Sequence, residues 1–316
     1  MEPLGFILFA RNCVEPAQVR ALIADLQGAV GRADAPVLID QEGGRVARLR
    51  PPHWREAPAA ARFAALARTD EAQAEQAAWL NARILAADLA DLGITVDCAP
   101  VLDVPQPGAH EVIGDRAVGD TAERSALLGR AWCDGLLAGG ILPVIKHIPG
   151  HGRALVDSHV GLPVVSARRE ELEQVDFAPF RALSAMPWAM TAHVVYADLD
   201  PSLPATTSPR VIESVIRGTI GFHGILVSDD ICMAALGGPV AGRASAALLA
   251  GCDIVLHCDG NLAGMESVAA ACPPISPRLR DRLLRAERMR QQPEPFDRRS
   301  ATARLAALLD GAAGLA

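Results

Sequence analysis

Two short segments concentrate the ionisable side chains that could do chemistry. Lys146-His147-Ile148-Pro149-Gly150-His151-Gly152 and, soon after, Asp157-Ser158-His159 put three histidines, a lysine and an aspartate into fourteen residues. Pro149, Gly150 and Gly152 make this stretch a loop with special backbone geometry. So many ionisable groups suit a pocket lining better than core filling, although an ordinary polar loop would also carry some of them. Asp157 and His159 are two residues apart, close enough for the carboxylate to hold the imidazole. A carboxylate beside an imidazole stabilises its protonated form, and such a histidine can give a proton and take one back. The same pair would also serve as a plain surface ion pair. The second segment is Ile225-Leu226-Val227-Ser228-Asp229-Asp230, an apolar β-branched run ending in two acids. Neighbours on an extended segment face opposite sides, so Asp229 and Asp230 do different things. A carboxylate nucleophile and a proton-shuttling partner are what double displacement at an anomeric carbon requires, and Asp229 and His159 could supply them.

The elements that would position these groups follow one recurring pattern. A helix-period segment ends at glycine, a short apolar run follows, and the run ends in ionisable residues. Leu80–Leu92 closes at Gly93 before Ile94–Asp97. Ala122–Ala138 closes at Gly139-Gly140 before Ile141–Ile145 and Lys146-His147. Val211–Arg217 closes at Gly218 before Ile225–Val227. Ala244–Ala250 closes at Gly251 before Asp253–Leu256 and His257. Glycine just past a helix end is the expected left-handed stop. Gly5–Ala10, Pro36–Asp40 and Met190–Tyr196 complete seven predicted strands. Val19, Leu22, Ile23 and Leu26 follow the first at helical spacing. Nearly all-apolar strands between helices imply a parallel sheet covered on both faces. Asp40, Asp97, Asp103, Lys146, His147, His193, Asp229 and Asp230 all fall at or just past strand C-termini. In a barrel those ends converge on one mouth, whereas an open sheet would gather its site at one switch point. The fold expected is therefore α/β, a TIM-like (β/α) barrel over residues 1–272. Residues 273–316, opening with Pro273, Pro274 and Pro277 and closing with a helical run over Ala301–Leu309, are expected as a helical tail packed on it.

Composition sets the outer limits. The chain has 316 residues, half of them hydrophobic, with a formal net charge of -7. That balance does not suit a general nucleic-acid binder, and the Arg-rich stretch Arg278–Arg290 reads as a solvated helix face. Seven cysteines without a C-x-x-C pair fit neither a disulfide framework nor a zinc ribbon. The apolar run Leu4–Ala10 is too short to span a bilayer and lacks the positive start and small-residue site of a secretory signal. The expected setting is cytoplasmic, with no membrane contact. Gly43-Gly44, within Asp40-Gln41-Glu42-Gly43-Gly44-Arg45-Val46, lacks the spacing of a nucleotide-phosphate loop. It reads instead as a loop that lets Asp40 and a nearby arginine approach a ligand.

These segments, taken in order, resemble the family 3 glycoside hydrolases, in the single-domain bacterial β-N-acetylglucosaminidase (β-hexosaminidase) branch of peptidoglycan recycling. The matching pieces are Ile7–Asn12, Asp40–Val46, Ala99–Val104, Ile113–Arg116, Lys146–Gly152, Asp157–His159, Ala192–Val194 and Ser228–Asp230 with Met233. The lysine-histidine loop and the Asp-Ser-His triplet are the specific parts, and each glycine pair alone is weak. The resemblance implies a retaining enzyme with Asp229 as nucleophile, His159 as acid/base and Asp157 as its partner. Asp40, Arg48, Arg116, Lys146 and His147 would hold the sugar hydroxyls. It implies a small carbohydrate substrate, a muropeptide fragment with terminal β-1,4-linked N-acetylglucosamine, and neither metal nor cofactor. Two-domain members carry a carboxylic acid/base on the second domain, for which 316 residues leave no room. Relatives begin with an extra strand and helix, so the first-strand position is expected to be empty or irregular, with a monomer or weak dimer as the state. Three other readings compete: a metal-dependent barrel hydrolase built on His147, His151, His159 and an aspartate; a non-catalytic sugar-binding protein; and a β-N-acetylglucosaminide phosphorylase, since a neutral histidine would not repel an anionic acceptor. The first lacks an H-x-H at an early strand end, and Lys146 would repel its cation.

Overall fold

A computed structural model describes residues 2–313 apart from 291 and 294. Seven parallel strands form one sheet: β1 (Phe6–Leu8), β2 (Val37–Ile39), β3 (Val96–Asp97), β4 (Leu142–Ile148), β5 (Trp188–Thr191), β6 (Ile225–Asp230) and β7 (Ile254–Leu256), paired in that order. Helices lie around them, making the TIM-like barrel expected. The expected irregularity lies between β1 and β7. Each pairs with one neighbour only among the described residues. Side chains bridge this gap: Ile7 and Phe9 on one side and Ile254 on the other pack against the same inner cluster, and Arg11 donates to the Cys258 carbonyl at 2.6 Å.

Strand alternation decides what reaches the mouth. Val37 and Ile39 pack outward with the helices, whereas Leu38 joins an inner cluster with Val96, Leu142, Val144, Trp188, Met190, Ile225, Val227 and Leu256. Side chains two apart on a strand share a face. Continuing each inner series by one step, 38 leads to Asp40, 142 and 144 to Lys146, and 225 and 227 to Asp229. The apolar plug and the polar mouth are thus one alternation read along the strands. In β4 the pairing with β5 shifts register between Lys146 and Ile148, and His147 joins Lys146 in lining the mouth.

The helices have local causes. Asp70 caps Glu71–Ala90 by accepting from the Gln73 N–H, and Thr121 caps Ala122–Ala138 by accepting from the Arg124 N–H. The two helices pack closely because small residues face each other. A Cβ on Gly135 would stand 2.5 Å from the Trp79 carbonyl oxygen. Pro277–Met289 sends Leu279, Leu283 and Ala286 into the inner cluster, filling the barrel from the end opposite the mouth. Arg298–Ala313 buries Ala301, Leu305, Leu308 and Leu309 in the outer core. No helix among the described residues is long and apolar enough to cross a membrane.

Four expectations are corrected. Met190–Tyr196 is not one strand: the chain leaves the barrel after Thr191, and Val195–Tyr196 pairs instead with Val164–Val165 as a separate two-stranded sheet. The chain must turn there because His193 folds inward to Thr206 and the Asp230 carbonyl. The third strand is only Val96–Asp97. The short helix expected over Val211–Arg217 runs past Gly218 to Thr219, with π-helical geometry. The arginines of residues 278–290 are not all solvated: Arg282 is buried and bonded to Asp253, which also binds Arg217 at 2.9 Å.

Candidate active site

The mouth holds a cavity of about 260 Å³. Asp40, Arg48, Arg116, Lys146, His147, Asp157, His159 and Asp229 all line it. At its floor lies a buried ion network. Lys146 Nζ sits 2.9 Å from Asp40 Oδ1 and 2.6 Å from Glu42 Oε1. Arg48 closes on Asp40 Oδ2 at 3.0 Å. Arg116 grips Glu42 bidentately, with Nε to Oε2 and Nη2 to Oε1 both at 2.8 Å. Burial pushes the Glu42 carboxyl up, but Lys146 and Arg116 overcome it and hold its pKa down at about 2. Asp40 is lowered in the same way, by Lys146 and Arg48 against burial. Lys146, its desolvation outweighed by the two acids, is raised and stays charged.

A second group surrounds Asp103. Its Oδ2 is 2.6 Å from His147 Nδ1, and its Oδ1 accepts from the backbone N–H groups of His147 and His151 at 3.1 and 2.6 Å. Burial opposes ionisation of Asp103, yet His147 and these donors keep its pKa below the ordinary value. The contact fixes the His147 ring and leaves Nε2 for the cavity. His151 is pushed down to about 4 by burial, so it is neutral at pH 7, and its Nε2 lies 3.3 Å from the Ser158 hydroxyl.

Asp229 ends the inner series of β6. Burial raises its carboxyl, and His147, His193 and the Asp230 N–H at 2.7 Å bring it below the usual carboxylate value. An ionised carboxylate with its outward oxygen free is the state a nucleophile needs. Strand alternation predicts that Asp230 faces away from Asp229, but the strand pairing shifts register between Val227 and Asp230 and both acids line the cavity. Asp230 Oδ1 accepts from the N–H groups of Cys232 and Cys258.

The Asp157–His159 pair stands on the loop over the cavity. Asp157 Oδ1 accepts from both the His159 N–H and its ring Nδ1 at 2.8 Å, so Nε2 is the ring atom left for a substrate. The His159 side chain is 65% exposed, while Ser158 between them is buried. The Ala235 N–H donates to the Ser158 carbonyl at 3.2 Å, tying this loop to the one that follows Asp229. Backbone fit constrains the loop root: a Cβ on Gly152 would meet the Val104 carbonyl oxygen at 2.0 Å.

Sequence reasoning gives no role to three residues that support the cavity, although it places Asp103 at a strand end. Glu42 shares Lys146 with Asp40, and its i, i+2 spacing from Asp40 was the available signal. Asp103 orients His147 from 44 positions away, which one sequence does not reveal. Arg45 donates to the carbonyls of Glu111 and Val112 at 2.9 and 2.7 Å and so braces the turn that carries Arg116. The three histidines of the metal-hydrolase reading do not form a donor set. Among the described residues the one converging group is Cys232, His257 and Asp259, none of which lines the cavity.

Comparison with known proteins gives the same frame. Residues 4–283 match the glycosyl hydrolase family 3 N terminal domain. A β-hexosaminidase of Alkalilimnicola ehrlichii is 43% identical over 259 residues, which are 81% of this chain and 73% of that protein. NagZ from Neisseria gonorrhoeae, solved in complex with N-trifluoroacetyl-D-glucosamine, has a TM-score of 0.85 and 34% identity, covering 96% of this chain and 90% of that one. A family 3 β-N-acetylglucosaminidase from Paenibacillus sp. str. FPU-7 has a TM-score of 0.83 and 33% identity over 96% of this chain. The chain spans 62% of that longer protein.

Proposed function

The chain belongs to glycoside hydrolase family 3, and from that premise we propose that it is a retaining exo-β-N-acetylglucosaminidase that releases terminal N-acetylglucosamine from peptidoglycan fragments. At the coarser level it is a family 3 β-N-acetylglucosaminidase, a glycoside hydrolase acting on a carbohydrate. The finer reading rests above all on one observation: an ionised, lumen-facing Asp229 and a carboxylate-held His159 open into the same small cavity.

In this reading Asp229 attacks the anomeric carbon while His159, oriented by Asp157, gives a proton to the departing sugar oxygen. The C1–O bond breaks as the Asp229 ester forms. His159, now neutral, takes a proton from water as that water attacks C1 and frees Asp229. Lys146, Arg48 and Arg116, fixed by Asp40 and Glu42, present charged donors to the sugar hydroxyls, and Asp40 and His147 complete the ring of contacts. Each charge-assisted hydrogen bond is worth ~1.5–3 kcal/mol, enough together to seat one terminal residue. A cavity at the small end of ligand sites, which run to roughly 300–1,000 Å³, supports exo attack. Two catalytic groups of different chemistry argue against a purely sugar-binding role.

The test is turnover of a chromogenic β-N-acetylglucosaminide and of a GlcNAc–anhydromuramyl fragment, each with and without inorganic phosphate. Release of free N-acetylglucosamine from both, unchanged by phosphate, is expected. A sugar 1-phosphate product would mean phosphorolysis, and no turnover of the fragment would remove the peptidoglycan assignment.

A further inference from the structure

Outside the cavity, the loops after β6 and β7 bring together three donor side chains that glycoside cleavage does not use. Cys232 stands two residues past Asp230, and His257 and Asp259 flank Cys258 beyond β7. One donor atom from each lies within 4.8 Å of the other two. We infer that Cys232, His257 and Asp259 form a binding site for one zinc-class divalent transition-metal ion.

The imidazole is the observation that points to a ligand. The His257 side chain is 8% exposed, yet neither ring nitrogen has a hydrogen-bond partner. Buried polar atoms nearly always find one, and an ion is among the standard reasons for an exception. Its Nδ1 stands 3.5 Å from Asp259 Oδ1, long for a hydrogen bond. Donors on one tetrahedral zinc, at bonds of ~2.0–2.3 Å, are roughly 3.3–3.7 Å apart. Space for the ring is built in, because a Cβ on Gly264 would come within 2.7 Å of His257 Nε2.

The scaffold holds the donors together. Asp230 Oδ1 accepts from the Cys232 N–H at 3.0 Å and from the Cys258 N–H at 3.1 Å, so one carboxylate ties both ligand-bearing segments. The Asn261 N–H donates to Asp259 Oδ1 at 2.7 Å, which orients the carboxylate and leaves that oxygen's second lone pair for the ion. Cys232 is a free, half-buried thiol and Asp259 is exposed, which provides an entry path. Thiolate, imidazole and carboxylate form a donor set suited to zinc or cobalt rather than to magnesium or calcium. On binding, the Cys232 S–H gives its proton to solvent and the sulfur lone pair goes to the ion. Water fills the fourth position, and no electron transfer is involved.

Cobalt(II) is the probe. The full chain, freed of metal by a chelator and titrated with cobalt, should take up one ion. It should then show intense visible bands of tetrahedral cobalt and a thiolate-to-cobalt charge-transfer band, which equimolar zinc erases. About one proton should be released per ion. Cys232→Ser should lose the charge-transfer band, and His257→Gln should weaken binding by about 100-fold. His159→Ala should keep both the bands and the affinity. No saturable uptake by the parent, or uptake without a thiolate band, overturns the site without recourse to any variant. Bands that persist in Cys232→Ser and vanish in His159→Ala place the ion in the catalytic cavity and overturn it equally.

Discussion

Replacing Glu42 with glutamine tests whether the cavity floor is held by charge. Glu42 is 3% exposed and anchors both Arg116 and Lys146. Its pKa falls from 4.5 to about 2 on folding. At ~1.36 kcal/mol per unit, that difference is worth about 3 kcal/mol to the native state, in the range found when one partner of a buried pair is removed. The sign follows from linkage. The folded pKa is depressed, so the contribution is complete above pH 4.5 and disappears as pH falls toward 2. Urea unfolding of parent and Glu42→Gln at pH 7 should differ by about 3 kcal/mol, and with a slope near 3 kcal/mol/M the midpoint drops by roughly 1 M. Repeating the pair at successively lower pH should shrink the gap between pH 4.5 and 2. Activity should fall mainly through a higher KM, because Arg116 and Lys146 lose their fixed positions. A gap of the same size at pH 7 and pH 3 would refute the electrostatic account and leave only packing.

Asp229→Ala should reduce hydrolysis of chromogenic and natural substrates alike to near background, since no covalent intermediate can form; residual turnover close to the parent's would remove Asp229 from the nucleophile role. His159→Ala should cost the natural substrate ~10²–10⁴-fold but a nitrophenyl substrate much less in its first step, with azide partly restoring turnover and giving a β-glycosyl azide. Equal losses for both substrates and no azide product would reduce His159 to a binding residue. Gly152→Ala should lower kcat by displacing the loop root away from Val104, visible as lost activity with a barrel that still unfolds cooperatively. Removal of divalent ions by a chelator should leave hydrolysis of the chromogenic substrate unchanged; loss restored by zinc would require a different mechanism.

Asp229 could be read from the sequence because its position depends on a local rule. Two inner apolar residues, Ile225 and Val227, precede it at period two; the same rule failed one residue on, where a register shift lets Asp230 line the cavity as well. Asp157 and His159 were legible for the same reason, being near neighbours. The roles of Glu42 and Asp103 were not, even though Asp103 had been placed at a strand end, since each acts through partners far along the chain: Arg116 is 74 positions from Glu42, and His147 is 44 from Asp103. The strand break after Thr191 was hidden too. Met190–Tyr196 is apolar enough to continue as a strand, and the contacts that take the chain off the barrel, from His193 to Thr206 and the Asp230 carbonyl and from Val195–Tyr196 to Val164–Val165, are all long-range. The buried Arg282 escaped because six neighbouring arginines read as one solvated face, while a single long-range acid, Asp253, selects which is drawn inside.

In the proposed reading, binding and proton transfer fall to groups that differ in burial as well as in chemistry. Of the proposed binding groups, Asp40, Lys146 and His147 sit at strand ends and Arg48 and Arg116 come from the loops above them. All are held in ion pairs or hydrogen bonds with carboxylates, so a sugar would meet donors whose orientation costs little on arrival. The acid/base instead stands on a loop held to the barrel by backbone hydrogen bonds such as that between Ala235 and Ser158, with its ring largely in solvent. That division fits the double displacement. As the proposed nucleophile, Asp229 would have to stay fixed, because it would bond to the same carbon in both steps. His159 must serve first a departing sugar oxygen and then an entering water, two partners of different size on one face of the ring. A rigid histidine shaped to the first would obstruct the second. A histidine on a loop, tethered through Asp157 at one nitrogen, can swing with its partner while keeping Nε2 directed at the reaction.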